Sequence, residues 1–400
     1  MLELLWLLLP VAAASGWYVA RRGRSNEGPG PRSAAGVGAE YFKGLNYLLN
    51  EQPDKALEVF VRMVEVDSST VETHFALGNL FRRRGEVDRA IRIHQNLIAR
   101  PTLTGEHRAQ ALFELGEDYM RAGLFDRAES LFDELVRQNA NTERALQRLR
   151  EIYQREKEWE EAIRVARRLE TQTGRAMAGV IAHYHCEQAE EARRRGGRGE
   201  ALRLIKHALL ADRGCARASL LQGDIEMAAG HHKAAVRAYR QVEDQDIDYL
   251  PEVLEPLHQA YVQMGKPGAM LEYLYGVLPK YDGVAPALAL AELLRQQQGE
   301  ESAAEFLAQQ LRSRPSIRGL DRLIAFNVAT TEGPARERLE VLAEISAQLL
   351  ADLPRYRCER CGFAGKVMHW QCPSCKCWST IKPVKRLELE EPPQGTGLPS

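Results

Sequence analysis

The sequence predicts an all-α chain of repeated helical hairpins that closes on a small cysteine-held module. Two observations predict it: a residue pattern that returns about every 34 positions from residue 44 onward, and two paired-cysteine motifs near the carboxyl end.

The pattern is a small residue, an aromatic three later, an alanine twelve later and a bulky apolar residue sixteen later. Gly44, Tyr47, Ala56 and Phe60 define it; Gly78, Phe81, Ala90 and His94 repeat it, and Gly116, Tyr119, Ala128 and Phe132 give the fullest later copy. Weaker copies start at Arg150, Ala189, Gly223, His258 and Ala291, so successive starts lie 34, 38, 34, 39, 34, 35 and 33 residues apart. Alanine fills the third slot in seven of eight copies, which a chance alignment would not give. Small residues let the two helices of a hairpin approach, and the aromatics are expected to fill the gaps between neighbouring hairpins. A period near 34 built from two helices resembles the tetratricopeptide family, which implies stacked hairpins whose first helices line a binding face. Asp54, Asp88 and Asp126 fall where an N-cap is expected for each second helix. Gly85, Gly123, Gly230 and Gly265 fall where each first helix must stop. Residues 316–353 stay helical and apolar, so a ninth, atypical pair caps the array. The repeat array is expected over 40–353.

Before the array, residues 4–20 carry no charge, and Arg21, Arg22 and Arg24 follow directly. At ~1.5 Å per residue this run reaches roughly 26 Å, enough for a single span if Met1 and Leu2 contribute. A cleaved signal would put its positive charge before the apolar run, whereas here Glu3 precedes it. Residues 1–20 are therefore expected to anchor the chain, with the first residues outside and the bulk in the cytoplasm. Residues 21–39, rich in Gly, Pro, Ser and Arg, are expected to be a linker.

The charge balance, 54 basic against 55 acidic side chains, excludes the strongly positive field of a nucleic-acid binder. No phosphate loop, nucleophile elbow or H-E-x-x-H motif occurs, so binding rather than catalysis is expected. His183, His185 and Cys186 are close in sequence, but neighbours two apart on a helix face away from each other, and ordinary helix positions are the expectation.

The sharpest motif is Cys358-x2-Cys361-Gly362, ten residues, then Cys372-x2-Cys375. Each C-x2-C turn delivers two thiolates to one side of a knuckle, and two knuckles complete a tetrahedron around zinc or iron. Residues 354–385 form this module, with Tyr356, Phe363, Trp370 and Trp378 as its apolar cover and Cys377 as a fifth, unmatched thiol. The knuckles resemble rubredoxin, except that Lys376 stands where the second knuckle would carry glycine. Residues 386–400 are expected to be a disordered tail.

An amino-terminal anchor, a basic linker, nine hairpins and then YRCERCGF, HWQCPSC and WSTIKP together resemble the lipopolysaccharide assembly protein B family. The resemblance implies an inner-membrane adaptor facing the cytoplasm, with one iron on Cys358, Cys361, Cys372 and Cys375 and zinc as the alternative. It implies partners as well: a membrane-bound ATP-dependent zinc protease, the deacetylase that commits carbon to lipid A, and other lipopolysaccharide synthesis and transport proteins. Self-association is left open. Two other functions fit the residues: a rubredoxin-like electron carrier or redox sensor, and a general chaperone-docking repeat protein.

Overall fold

The computed structural model describes residues 34–50, 52–66 and 70–385. The expected anchor, most of the linker and the tail lie outside the described residues. No helix among the described residues is long and apolar enough to cross a membrane.

Eighteen α-helices follow one another in nine pairs among the described residues, and the chain divides after Ile152 into two compact units. In the first unit, α1 (Ala34–Leu49) packs on α2 (Pro53–Val66), α3 (Val71–Arg83) on α4 (Val87–Ile98), and α5 (Gly105–Ala122) on α6 (Phe125–Arg137). α7 (Thr142–Glu156) carries the boundary, and α8 (Trp159–Thr173) opens the second unit. Then come α9 (Ala178–Arg194) and α10 (Arg198–Ala211), α11 (Ala216–Ala228) and α12 (His232–Gln245), and, after a 3-10 turn at Ile247–Tyr249, α13 (Leu250–Gln263) and α14 (Gly268–Val277). α15 (Ala285–Gln298), α16 (Glu300–Ser313), α17 (Ile317–Thr330) and α18 (Pro334–Asp352) complete the array. Helix α1 starts at Ala34, inside the stretch expected to be linker.

The sixteen-residue spacing is a contact that closes four of the hairpins. A Cβ placed on Gly44 would lie 2.7 Å from the Phe60 ring, one on Gly78 2.5 Å from His94 and one on Gly116 2.7 Å from Phe132, and one on Gly223 would overlap the Tyr239 ring. Ala56, Ala90, Ala128, Ala162, Ala201, Ala235 and Ala303, the third slot, are all fully buried.

The turns differ from the expected caps. Gly85 adopts φ 81°, and the Glu86 amide reaches back to the Phe81 carbonyl at 2.9 Å; Gly123 and Leu124 repeat this with Tyr119. The backbone thus ends one helix and starts the next without a side chain. Glu86 and Leu124 become the N-caps, with no side-chain cap bond, and Asp88 and Asp126 sit one residue inside the first turn. There their charge faces the positive helix end rather than capping an amide. Asp54, also in a first turn, pairs across hairpins with Arg84.

In the first unit the second copy has histidine where its neighbours have phenylalanine. His94 meets Asp118 at 2.5 Å, and Arg82 spans Asp118 at 2.8 Å and Glu114 at 2.6 Å. Arg82, at the end of α3, is therefore structural, locking the second hairpin to the third.

Candidate metal centre

Cys358 ends β1 (Tyr356–Cys358), which pairs antiparallel with β2 (Ala364–Gly365) on one side and β3 (Ile381–Pro383) on the other. Each C-x2-C turn closes on a backbone bond, Gly362 amide to Cys358 carbonyl at 2.9 Å and Lys376 amide to Cys372 carbonyl at 3.0 Å. Gly362 has φ 74° and Lys376 φ 57°, so both knuckles make the same left-handed turn. Lysine in place of glycine costs backbone energy but leaves the knuckle intact.

The four sulfurs converge. All lie within 4.8 Å of one another, with Cys358 to Cys375 at 3.7 Å and Cys361 to Cys372 at 3.6 Å. A metal about 2.3 Å from each sulfur of a tetrahedron requires sulfur separations of about 3.8 Å. The donor chemistry agrees. The Phe363 amide draws the Cys361 thiol down to about 6, whereas burial pushes Cys375 up to about 12. Burial likewise raises Cys372; at Cys358 burial is outweighed by the Thr380 hydroxyl and the Cys361 and Arg360 amides, and its thiol is lowered. Amides aimed at sulfur favour the thiolates that a metal needs. Bound metal would supply a covalent clasp between the two knuckles. Cys377 stays outside the cluster: Arg360 donates to its sulfur at 2.5 Å, and the thiol turns to the Cys375 carbonyl at 3.4 Å.

The apolar cover is split. Tyr356, Phe363 and Met368 pack on Cys358, Cys372 and Ile381 within the module. Trp370 and Trp378 turn outward onto the repeats of the second unit. Trp378 stacks on His183 of α9, and its indole nitrogen donates to Gln154 at 3.3 Å, the acceptor that also receives the Tyr184 hydroxyl at 2.9 Å. Trp370 lies 4.8 Å from the Tyr249 ring, and the Tyr249 hydroxyl donates to the Ile381 carbonyl at 3.1 Å. Tyr356 donates to Glu252 at 2.8 Å, Lys382 pairs with Asp246, and Ser379 meets His183 at 2.6 Å. Arg217, its side chain nearly buried, contacts Glu187 at 2.9 Å and faces both indoles at about 6 Å.

His183 was expected to be an ordinary helix position; it is the centre of this seat. Burial first and Arg217 second hold its imidazole at about 3, so it is neutral at pH 7. No local signal distinguishes it, since its partner Ser379 lies 196 residues away. His185 instead faces Gln188 at 3.0 Å, and its ring lies tilted against His207 at 5.6 Å. Cys186 and Cys215 bring their buried sulfurs to 4.0 Å as thiols.

A hairpin-repeat array that seats a four-cysteine module on its own helices defines a tetratricopeptide-repeat protein with a rubredoxin-type metal-binding module. Residues 356–383 match the family described as rubredoxin metal binding domain, and residues 73–109, 145–174 and 186–249 match tetratricopeptide repeats. Lipopolysaccharide assembly protein B of Escherichia coli K12 is 42% identical over 97% of this chain and all of that protein; its Haemophilus influenzae counterpart is 35% identical over 97% and 100%. The chain belongs to the lipopolysaccharide assembly protein B family.

Proposed function

We propose that this chain is an inner-membrane adaptor that holds proteins of lipopolysaccharide assembly together. Residues 1–20 tether it, the bulk lies in the cytoplasm, and its repeats bring the lipid A-committing deacetylase to a membrane-bound ATP-dependent protease. The metal is one iron, in a bracing role. Family membership supports the pathway.

One observation carries the binding role. In the first unit, α1, α3 and α5, the first helices of three successive hairpins, jointly line a cleft of about 340 Å3. Tyr41, Phe75 and His107 give it aromatic walls, and Asn79, Arg83 and Gln110 give it polar ends. Such a mixed lining suits an extended or helical peptide segment. Tethering would add effective concentration without new contacts.

Affinity capture from membranes, with and without residues 1–20 and with Phe75→Ala, tests the reading. Recovery of both the deacetylase and the protease by the intact chain, with loss of one on Phe75→Ala, is the expected result. Recovery of neither, or deacetylase levels equally controlled by the untethered chain, overturns it. Elemental analysis of the captured protein decides the metal: zinc without iron overturns the iron assignment.

A further inference from the structure

A second cleft, of about 690 Å3, opens in the second unit where α13, α15, α17 and α18 face β1 and the residues after β3. Its charged groups are mostly spent. Arg322 pairs with Glu292, which also takes Arg295 at 2.5 Å. Lys385 pairs with Asp248, and Asp321 accepts the Ser346 hydroxyl at 2.6 Å. Glu252 accepts the Tyr356 hydroxyl, and burial lifts its carboxyl above the ordinary range.

Two guanidinium groups remain. Arg318 donates to the Pro354 carbonyl at 3.2 Å, which brings it beside Arg355, the next residue. Among the described residues neither has a carboxylate at ion-pair distance. Burial first, and then the neighbouring Arg355 charge, pull Arg318 below its usual value.

We infer that Arg318 and Arg355 form a binding site for a phosphate monoester, with the organic part of the ligand lying along the cleft. Two cations call for a dianion: a phosphate monoester carries ~1.5 to 2 negative charges at pH 7, and a single carboxylate would leave one guanidinium uncompensated. Guanidinium forks also match tetrahedral oxyanions in bidentate geometry. The cleft far exceeds a lone phosphate ion, and Leu288, Leu350 and Val384 give it apolar wall for an organic remainder. The ester could be soluble or the headgroup of a lipid; the chemistry at the two arginines is the same.

Calorimetric titration of the full chain with inorganic phosphate, at constant ionic strength set with sodium chloride, tests the site. Saturable binding that weakens at least tenfold in Arg355→Gln and in Arg318→Gln is expected. Arg355 is exposed, and its variant should keep its metal and unfolding midpoint, which separates lost binding from lost fold. Vesicles of phosphatidylcholine with phosphatidic acid identify the source: retention that falls in the double variant points to a lipid headgroup, and phosphate binding without such a difference points to a soluble ester. Absence of saturable phosphate binding, or equal binding by both variants, overturns the inference.

Discussion

The imidazole of His183 lies flat on the indole of Trp378, ring centroids 4.9 Å apart and planes within 18° of parallel. One ring comes from the fifth hairpin and the other from the metal module, so the stack joins the end of the chain to its middle. Around it, Ser379, Gln154 and Arg217 fix the orientation of both rings. The module is thereby positioned by side chains, not by the short connection from α18.

Removing the stack should release the module while leaving its metal in place. Trp378→Ala is expected to cost about 3 kcal/mol, the lower end for losing a large aromatic from a packed site, with His183→Ala somewhat less. Denaturant unfolding and proteolytic cleavage between 353 and 356 would report it. Wild-type stability and protection in Trp378→Ala would show that the seat lies elsewhere.

Acid should loosen the same seat through His183. Its folded value, about 3, lies below the ~6.5 of an unfolded histidine, so the unfolded chain takes up a proton that the folded one refuses. Its stabilising contribution is complete above ~6.5 and declines as pH falls toward 3. At about 1.4 kcal/mol per pH unit, moving from pH 6.5 to pH 5 should remove about 2 kcal/mol. Arg217, paired with Glu187, is the charged group facing it. His183→Gln should therefore show a flatter stability profile from pH 6.5 to 5; an unchanged slope would contradict the assignment.

Metal removal should unfold the module selectively. Its sheet has only three strands of two or three residues, too few to hold without the clasp. Cys361→Ser with Cys372→Ser should abolish metal binding and lower the unfolding midpoint of the second unit by ~5 °C or more, with helical circular dichroism largely kept. Equal midpoints with and without metal would remove the bracing role.

Lys376 provides a test in the opposite direction. Lysine at φ 57° is strained where Gly362 is not, and Lys376→Gly should relieve ~1 kcal/mol and slow metal loss to a chelator. The Lys376 carbonyl, which accepts from Gln371 at 2.9 Å, is kept by the change. Faster metal loss would mean that the lysine side chain itself protects the centre.

The hairpins were legible because their register is written in residue size: a glycine at one position and a ring sixteen later meet in four of the eight copies, and alanine fills the third slot in seven. The knuckles were legible because their chemistry is local. The turn aspartates misled, since an acidic residue near a helix start looks the same whether it caps or merely faces the dipole, and the glycine-led turn had already satisfied the amides. The seat of the module was hidden for another reason. Trp370 and Trp378 belong to a cysteine-rich stretch and suggest local cover, yet their partners Tyr249 and His183 are more than a hundred residues away on helices with no distinguishing pattern.

The hairpin contact itself can be separated from the demands of the backbone. Gly116 and Gly123 bracket one helix end: a Cβ on Gly116 would lie 2.7 Å from the Phe132 ring, whereas one on Gly123 meets nothing within 4 Å but stands at φ 76°. Gly116→Ala should thus cost about 2 kcal/mol through overpacking, and Gly123→Ala about 1 kcal/mol through the left-handed turn. Trimming the ring distinguishes the two. In Gly116→Ala with Phe132→Leu, the new methyl occupies space that the ring gave up, and the pair should be less destabilising than the sum of the singles by ~1 kcal/mol or more; Gly123→Ala with Phe132→Leu should be additive. Equilibrium unfolding of these five variants measures both couplings. Additivity at Gly116 would mean that the ring can swing aside, and the sixteen-residue spacing would then be a habit of the sequence without being the contact that sets how closely the helices pack.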